Sequence, residues 1–235
     1  MRFRILSALC LLAVLATPAS AQRYSDSALA EGFYRTVFGL EYATFSANAR
    51  IVKRFIGPVR VYVDNRARRD RRARVERFVR QVNREVRGLD IAVASNPAQS
   101  NFTIYVVDRW QYERIIQDEI YNSTRTAAPG RCMVRVVTGP RGISRAQAVI
   151  VSDEGEFLFN RCLIEETLQG LGPLNDDSTL TDSVFNDSSQ LAEFTLHDRF
   201  ILNMLYHPDI RPGMDRQTVN NILSRVIADV RRWVR

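Results

Sequence analysis

Histidine is nearly absent from this chain: His197 and His207 are the only two in 235 residues. Chemistry that needs several imidazoles acting together, as most catalytic zinc sites do, is therefore excluded. Neither histidine has ligand spacing to a metal-binding motif, and each is expected at the surface or as a helix cap. No Ser/His/Asp or Cys/His set suggests a nucleophile, and no glycine-rich loop suggests phosphate binding. Lysine is scarcer still, since Lys53 is the only one among 33 basic residues. Also missing is any apolar run of the roughly 20 residues that a membrane-spanning helix takes.

Cysteine is limited to three, and the first lies in a leader. Residues 1–21 carry Arg2 and Arg4, an apolar stretch from Ile5 to Ala16, and Ala19-Ser20-Ala21. That is the pattern of a secretory signal peptide, cleaved near Ala21, and its apolar part is too short for a membrane anchor. Cys10 leaves with the leader. The mature chain is expected to be exported, periplasmic or secreted. Cys132 and Cys162 then remain and are expected to pair, with two free thiols or a soft-metal site as the alternative. A bridge closing roughly 30 residues contributes on the order of 3.5 kcal/mol in the chain-entropy model.

The formal charge is +7 and falls to +5 once Arg2 and Arg4 are removed. Residues 22–235 are enough for one domain with a full core. The run Arg66-Ala67-Arg68-Arg69-Asp70-Arg71-Arg72-Ala73-Arg74 is read as the solvated start of a helix. Export and the lack of a binding motif argue against nucleic acid.

Periodicity predicts a helix over Ser25–Phe38, a strand at Val59–Val63, and an amphipathic helix over Arg69–Arg87 with Val75, Phe78, Val79, Val82 and Val86 on one side. Strands follow at Ile91–Ala94 and Phe102–Val107, then a helix over Trp110–Tyr121. Met133–Val137 and Ala148–Val151 are two further strands. A helix over Phe157–Leu171, a polar loop from Pro173 to about Glu193, and helices over Leu196–Tyr206 and Gln217–Trp233 complete the chain. This order calls for an α+β fold, a twisted mixed sheet packed with helices and ending in a C-terminal helical subdomain.

The most informative stretch is Glu165-Glu166-Thr167-Leu168-Gln169-Gly170-Leu171-Gly172-Pro173-Leu174-Asn175-Asp176. Glu165 and Gln169 stand i, i+4 on one helical face, Glu166 lies between them, and Gly172 turns the chain so that Asn175 and Asp176 return toward it. Ser183-Val184-Phe185, Thr195-Leu196-His197-Asp198 and Leu205-Tyr206 follow in order.

These landmarks resemble the metzincin metallopeptidases, and most closely their matrixin branch. That family carries His-Glu-x-x-His-x-x-Gly-x-x-His, a Met-turn, and a last helix with Ser/Thr-x-x-Asp and a terminal Leu-Tyr. The resemblance implies a zincin-like fold over Val59–Tyr206, with Gly172, Ser183, Phe185, Asp198 and Tyr206 as structural positions. Phe185 takes the place of the Met-turn methionine, and Asp198 is implied to bond that turn's backbone. It also implies that an edge strand beside the motif helix, here 133–137, pairs with an extended peptide or exported protein. From its Glu-Glu-x-x-Gln-x-Leu-Gly-Pro-Leu-Asn-Asp run and its Leu205–Met214 segment, the chain is identified as a member of an exported bacterial family, domain of unknown function 2927.

Every histidine of the peptidase motif is replaced here. Glu165, Gln169 and Asn175 offer one carboxylate and two neutral amides, a poor set for zinc, so neither metal nor other cofactor is expected. Without a metal Glu166 has no activated water to work on. The residues are expected to form a polar network in a non-catalytic peptide- or protein-binding or structural module. The alternative is a hydrolase with a non-canonical or metal-free centre in which Glu166 is the general base.

Overall fold

The computed structural model describes residues 23–39, 50–139 and 141–234 of the chain. The expected leader, residues 1–21, lies outside the described residues. Among these residues the chain forms a five-stranded mixed sheet and six helices.

The first helix, α1 (Asp26–Val37), starts at Ser25, whose hydroxyl accepts from the Ala28 N–H and so satisfies a free donor of the first turn. Strand β1 (Val59–Asn65) alternates, with Val59, Val61 and Val63 turned inward. Helix α2 (Arg72–Glu85) buries Val75, Phe78, Val79 and Val82, a stripe at helical spacing. Strand β2 (Ile91–Val93) is short, whereas β3 (Phe102–Val107) is buried along its whole length, as a central strand covered on both faces must be. Helix α3 (Arg109–Ile115) runs into a π-helical turn at Ile116–Tyr121. Strands β4 (Cys132–Gly139) and β5 (Gly142–Val151) follow, then α4 (Glu156–Gln169), α5 (Leu196–Leu205) and α6 (Arg216–Trp233).

The strand order is β2-β1-β3-β5-β4. The first four are parallel and β4 runs antiparallel to β5, which leaves β4 as one edge of the sheet. Side chains of the sheet divide between two faces. One face carries Val61, Ile104, Ala148 and Ile150 into the main core, which also holds Phe159, Leu163 and Leu168 of α4. The other carries Tyr105, Val107, Met133 and Val149 against Tyr112, Ile116 and Ile120. The main core is continuous from Leu29 to Val234, with α1, α5 and α6 packed on one another beside α4.

Three expectations need correction. The arginine run is only partly solvated: Arg71 is buried, its Nε donating to Ser152 Oγ at 3.0 Å and its Nη2 to the Ser152 carbonyl at 3.0 Å. Neither histidine is at the surface. His197 is buried with its ring over Gly32 and edge-on to Tyr24, while His207 stacks on Trp233 and faces Asp229 at 3.3 Å. The strand expected at Ala148–Val151 begins six residues earlier, because Gly142–Gln147 pairs with β4 in a long hairpin.

Candidate functional site

Helix α4 is enclosed by sheet and helices, and from Arg161 to Gln169 every residue is buried. Side chains three or four apart stack on one helical face. Arg161, Glu165 and Gln169 therefore form one row, with Leu158, Cys162 and Glu166 in the row beside it. Both rows face β4 across a cleft of ≈ 210 Å³, which Met133, Val134, Asp176 and Asp187 also line.

The disulfide expected between Cys132 and Cys162 is present, with Cα atoms 5.8 Å apart. It joins the first residue of β4 to the middle of α4 and fixes one wall of the cleft against the other. At the far end of the helix Gly172 turns the chain with φ +140°, where an added Cβ would fall 2.3 Å from the Lys53 carbonyl. Only glycine fits there without backbone movement.

The turn delivers Asp176 to the cleft. Gln169 Nε2 donates to both Asp176 oxygens at 3.0 Å each. Asn175 does not join them: its amide donates to the Arg35 carbonyl at 2.8 Å and its backbone N–H to the Thr36 carbonyl at 3.2 Å, so it anchors the turn to α1. Glu165 and Glu166, each about 95% buried, line the cleft beside Gln169. Oxygens of Glu165, Asp176 and Asp187 lie within 4.8 Å of one another.

Arg161 supplies the main positive charge, a role no motif marked. Its Nε is 3.3 Å from Glu165 Oε2 and its Nη2 is 3.3 Å from Oε1, a two-pronged pair. The same guanidinium donates to the carbonyls of Asn186 at 3.0 Å, Ser189 at 3.1 Å and Leu191 at 3.2 Å. It thereby ties the polar loop to α4 and brings Asp187 to the cleft mouth, 3.8 Å from Nη2. The i, i+4 spacing of Arg161 and Glu165 was the available signal for that pair; the loop carbonyls gave none.

This arrangement does not fit a zinc ion. Arg161 grips Glu165, Gln169 turns amide hydrogens toward Asp176, and Asn175 faces away from the cleft, so no set of nitrogen or sulfur donors remains.

Asp198 is completely buried near the start of α5. It accepts from Ser183 Oγ at 2.6 Å, Thr195 Oγ1 at 2.7 Å, the Thr195 N–H at 3.1 Å and the Val184 N–H at 3.3 Å. Burial pushes its carboxyl up to about 6 against the pull of those donors. Phe185 is fully buried one residue further on, and its carbonyl accepts from the Asp177 N–H at 2.9 Å. Tyr206, at the end of α5, donates its hydroxyl to the Leu171 carbonyl at 2.9 Å and so holds the end of the motif helix.

Residues 26–225 match the family described as "Protein of unknown function (DUF2927)", and the chain belongs to it. No curated protein matches the chain.

Proposed function

We propose that this chain is a degenerate zincin of the matrixin type, exported and non-catalytic, that captures an extended segment of a peptide or another exported protein along β4. The observation that carries this reading is that, among the described residues, β4 ends the sheet, antiparallel to β5, beside the helix that bears the motif. An edge strand presents unpaired backbone groups on its outer side, and an added strand satisfies them. Loss of the catalytic chemistry leaves that surface intact, because it depends on backbone and not on metal ligands.

Further support comes from the disulfide, which belongs to oxidising compartments and braces the binding edge against α4. Among the described residues no helix is long and apolar enough to cross a membrane.

Amide exchange followed by mass spectrometry tests the proposal. A panel of unstructured, β-prone decapeptides is added to the mature protein, and at least one member is expected to slow exchange within residues 133–137. If none does, at peptide concentrations up to about 1 mM, where binding free energies are near 4 kcal/mol, strand capture is wrong.

A further inference from the structure

The positive charge of this chain is gathered in one place. Residues 66–87 contain ten arginines against Asp70, Glu76 and Glu85, a net +7, while the whole sequence also sums to +7, and to +5 without Arg2 and Arg4. The rest of the mature chain therefore carries +5 less +7, or −2. We infer that the outer side of α2 is a docking surface for an anionic phospholipid membrane, bound through its phosphate headgroups. This surface is separate from strand capture at β4.

Packing orients the charge. Val75, Phe78, Val79 and Val82 face the core, which turns the other side of α2 outward. Arg72, Arg77, Arg80, Arg84 and Arg87 are exposed there, and from Arg77 onward they stand three or four residues apart, so they form one ridge. From Arg72 to Arg87 it runs roughly 20 Å at the helical rise per residue. The acids of this segment are occupied: Arg72 bonds Asp70 at 2.8 Å, Glu76 lies 3.5 Å from Arg80, and Glu85 lies 3.6 Å from Arg199. Among the described residues no carboxylate pairs with Arg77, Arg84 or Arg87. Such a ridge opposes the stability of its own helix. Like charges at i, i+3 and i, i+4 repel, and the first turn holds Arg72 and Arg74 with no acid, against the helix dipole. Burial first, and then the charge of Arg77, holds the Arg74 guanidinium below its ordinary value. Choices that work against local stability are expected at functional surfaces.

The chemistry of this face selects the partner. Among the described residues the large exposed apolar side chains are Ile56, Trp110, Tyr121, Val137 and Phe157, and none of them is on α2. A protein partner docks around a desolvated apolar or aromatic centre, which this face does not offer. A nucleic-acid duplex is entered by a helix that stands clear of its domain, whereas α2 lies along β1 and β2. A headgroup layer needs only a line of cations held at its surface. Arginine suits that role, because its planar fork takes two phosphate oxygens at once, and Lys53 apart every basic residue of the chain is arginine.

Sedimentation of the mature protein with lipid vesicles tests this inference. Phosphatidylcholine vesicles with about 30% phosphatidylglycerol are expected to bind it at low salt while pure phosphatidylcholine does not, since each arginine near an anionic surface adds roughly fivefold to partitioning. The substitutions Arg77→Gln, Arg80→Gln, Arg84→Gln and Arg87→Gln together should weaken partitioning at least about a hundredfold. Glutamine forms helix about as readily as arginine, so α2 is retained. A control with Arg114→Gln, Arg125→Gln, Arg211→Gln and Arg216→Gln, also exposed, has the same net charge and should lose less than about fivefold. Binding by the parent should collapse as salt rises from about 0.05 to 0.5 M, because screening shortens the reach of the ridge. Equal losses in both variants would show that net charge and not the ridge is at work, and would overturn the inference; so would equal binding to the uncharged vesicles, or binding to neither. Vesicles ignored while polyglutamate or a DNA duplex binds through the same four arginines would assign the ridge to an acidic protein or to nucleic acid, and would also overturn it.

Discussion

The side-chain amide of Gln169 bonds both carboxylate oxygens of Asp176, each at 3.0 Å, and so closes the end of α4 onto the segment that follows the Gly172 turn. A hydrogen bond to a charged group contributes about 1.5–3 kcal/mol. Gln169→Ala is accordingly expected to destabilise the fold by about 2 kcal/mol, since Asp176 then loses both bonds from the Gln169 amide while lying close to Glu165 and Asp187. Gln169→Glu should cost more because it adds like charge. Combining it with Asp176→Asn restores a donor–acceptor pair, and urea unfolding of the four proteins should give a favourable coupling in the double-mutant cycle. Strictly additive losses would contradict the pairing.

The Cys132–Cys162 bridge spans 30 residues of sequence and joins the edge strand to the motif helix. Replacing both cysteines by alanine should lower stability by about 3–4 kcal/mol in the chain-entropy model. The native state should change locally as well: exchange in 132–137 is expected to quicken relative to β3, because among the described residues β4 pairs with a strand on one side only. Unaltered urea midpoints and unaltered β4 exchange would show that the bridge does neither.

Much of this architecture was legible because local pattern and burial agree. The valine alternation of β1, the apolar stripe of α2 and the β-branched and aromatic run of β3 each state their own element. The pairing of Cys132 with Cys162 followed from redox compartment and number. What was not legible depended on distance. Trp110–Tyr121 reads as one helix, and nothing local marks the change to a π-helical turn at Ile116. The first half of β5 reads as a loop because Ser144 and Arg145 are exposed, and only the partner strand makes it a strand. In the site, the backbone at Gly172 decides that Asp176 and not Asn175 reaches Gln169, a one-residue offset that motif spacing alone does not resolve. The burial of Arg161 depends on carbonyls 25 to 30 residues further along the chain.

Arg161 is the joint between α4 and the polar loop, so its removal should be felt in both. Breaking a buried ion pair by deleting one partner typically costs about 3–5 kcal/mol, because the other charge stays behind. Arg161→Met is expected to fall in that range, leaving Glu165 and the carbonyls of Asn186, Ser189 and Leu191 without it. Arg161→Lys should recover only a minor part, since an ammonium cannot reach a carboxylate and several carbonyls at once. Exchange should accelerate across 186–191 while α2 stays protected. A lysine variant as stable as the parent would argue that charge alone matters there.

Asp198 gives the fold a pH dependence whose sign can be worked out. Its carboxyl is raised from 3.8 to about 6 by burial, the dominant influence, while Ser183, Thr195 and Val184 donate to it and pull the other way. Between those two values the folded protein holds a proton that the unfolded chain has already released, so stability falls as pH rises. The contribution is fully present below 3.8 and lost once pH passes about 6. At 1.36 kcal/mol per pH unit the swing is about 3 kcal/mol. Asp198→Asn has no proton to lose there. Its stability should start lower, because an amide nitrogen cannot accept from the donors that surround it, and should stay level across the window where the parent declines. Denaturation midpoints of the two proteins, measured in steps from about pH 4 to 7 around the ordinary carboxylate range, should therefore converge as pH rises. Parallel profiles would mean that the carboxylate form is fully supported by its donors and that burial does not control this group.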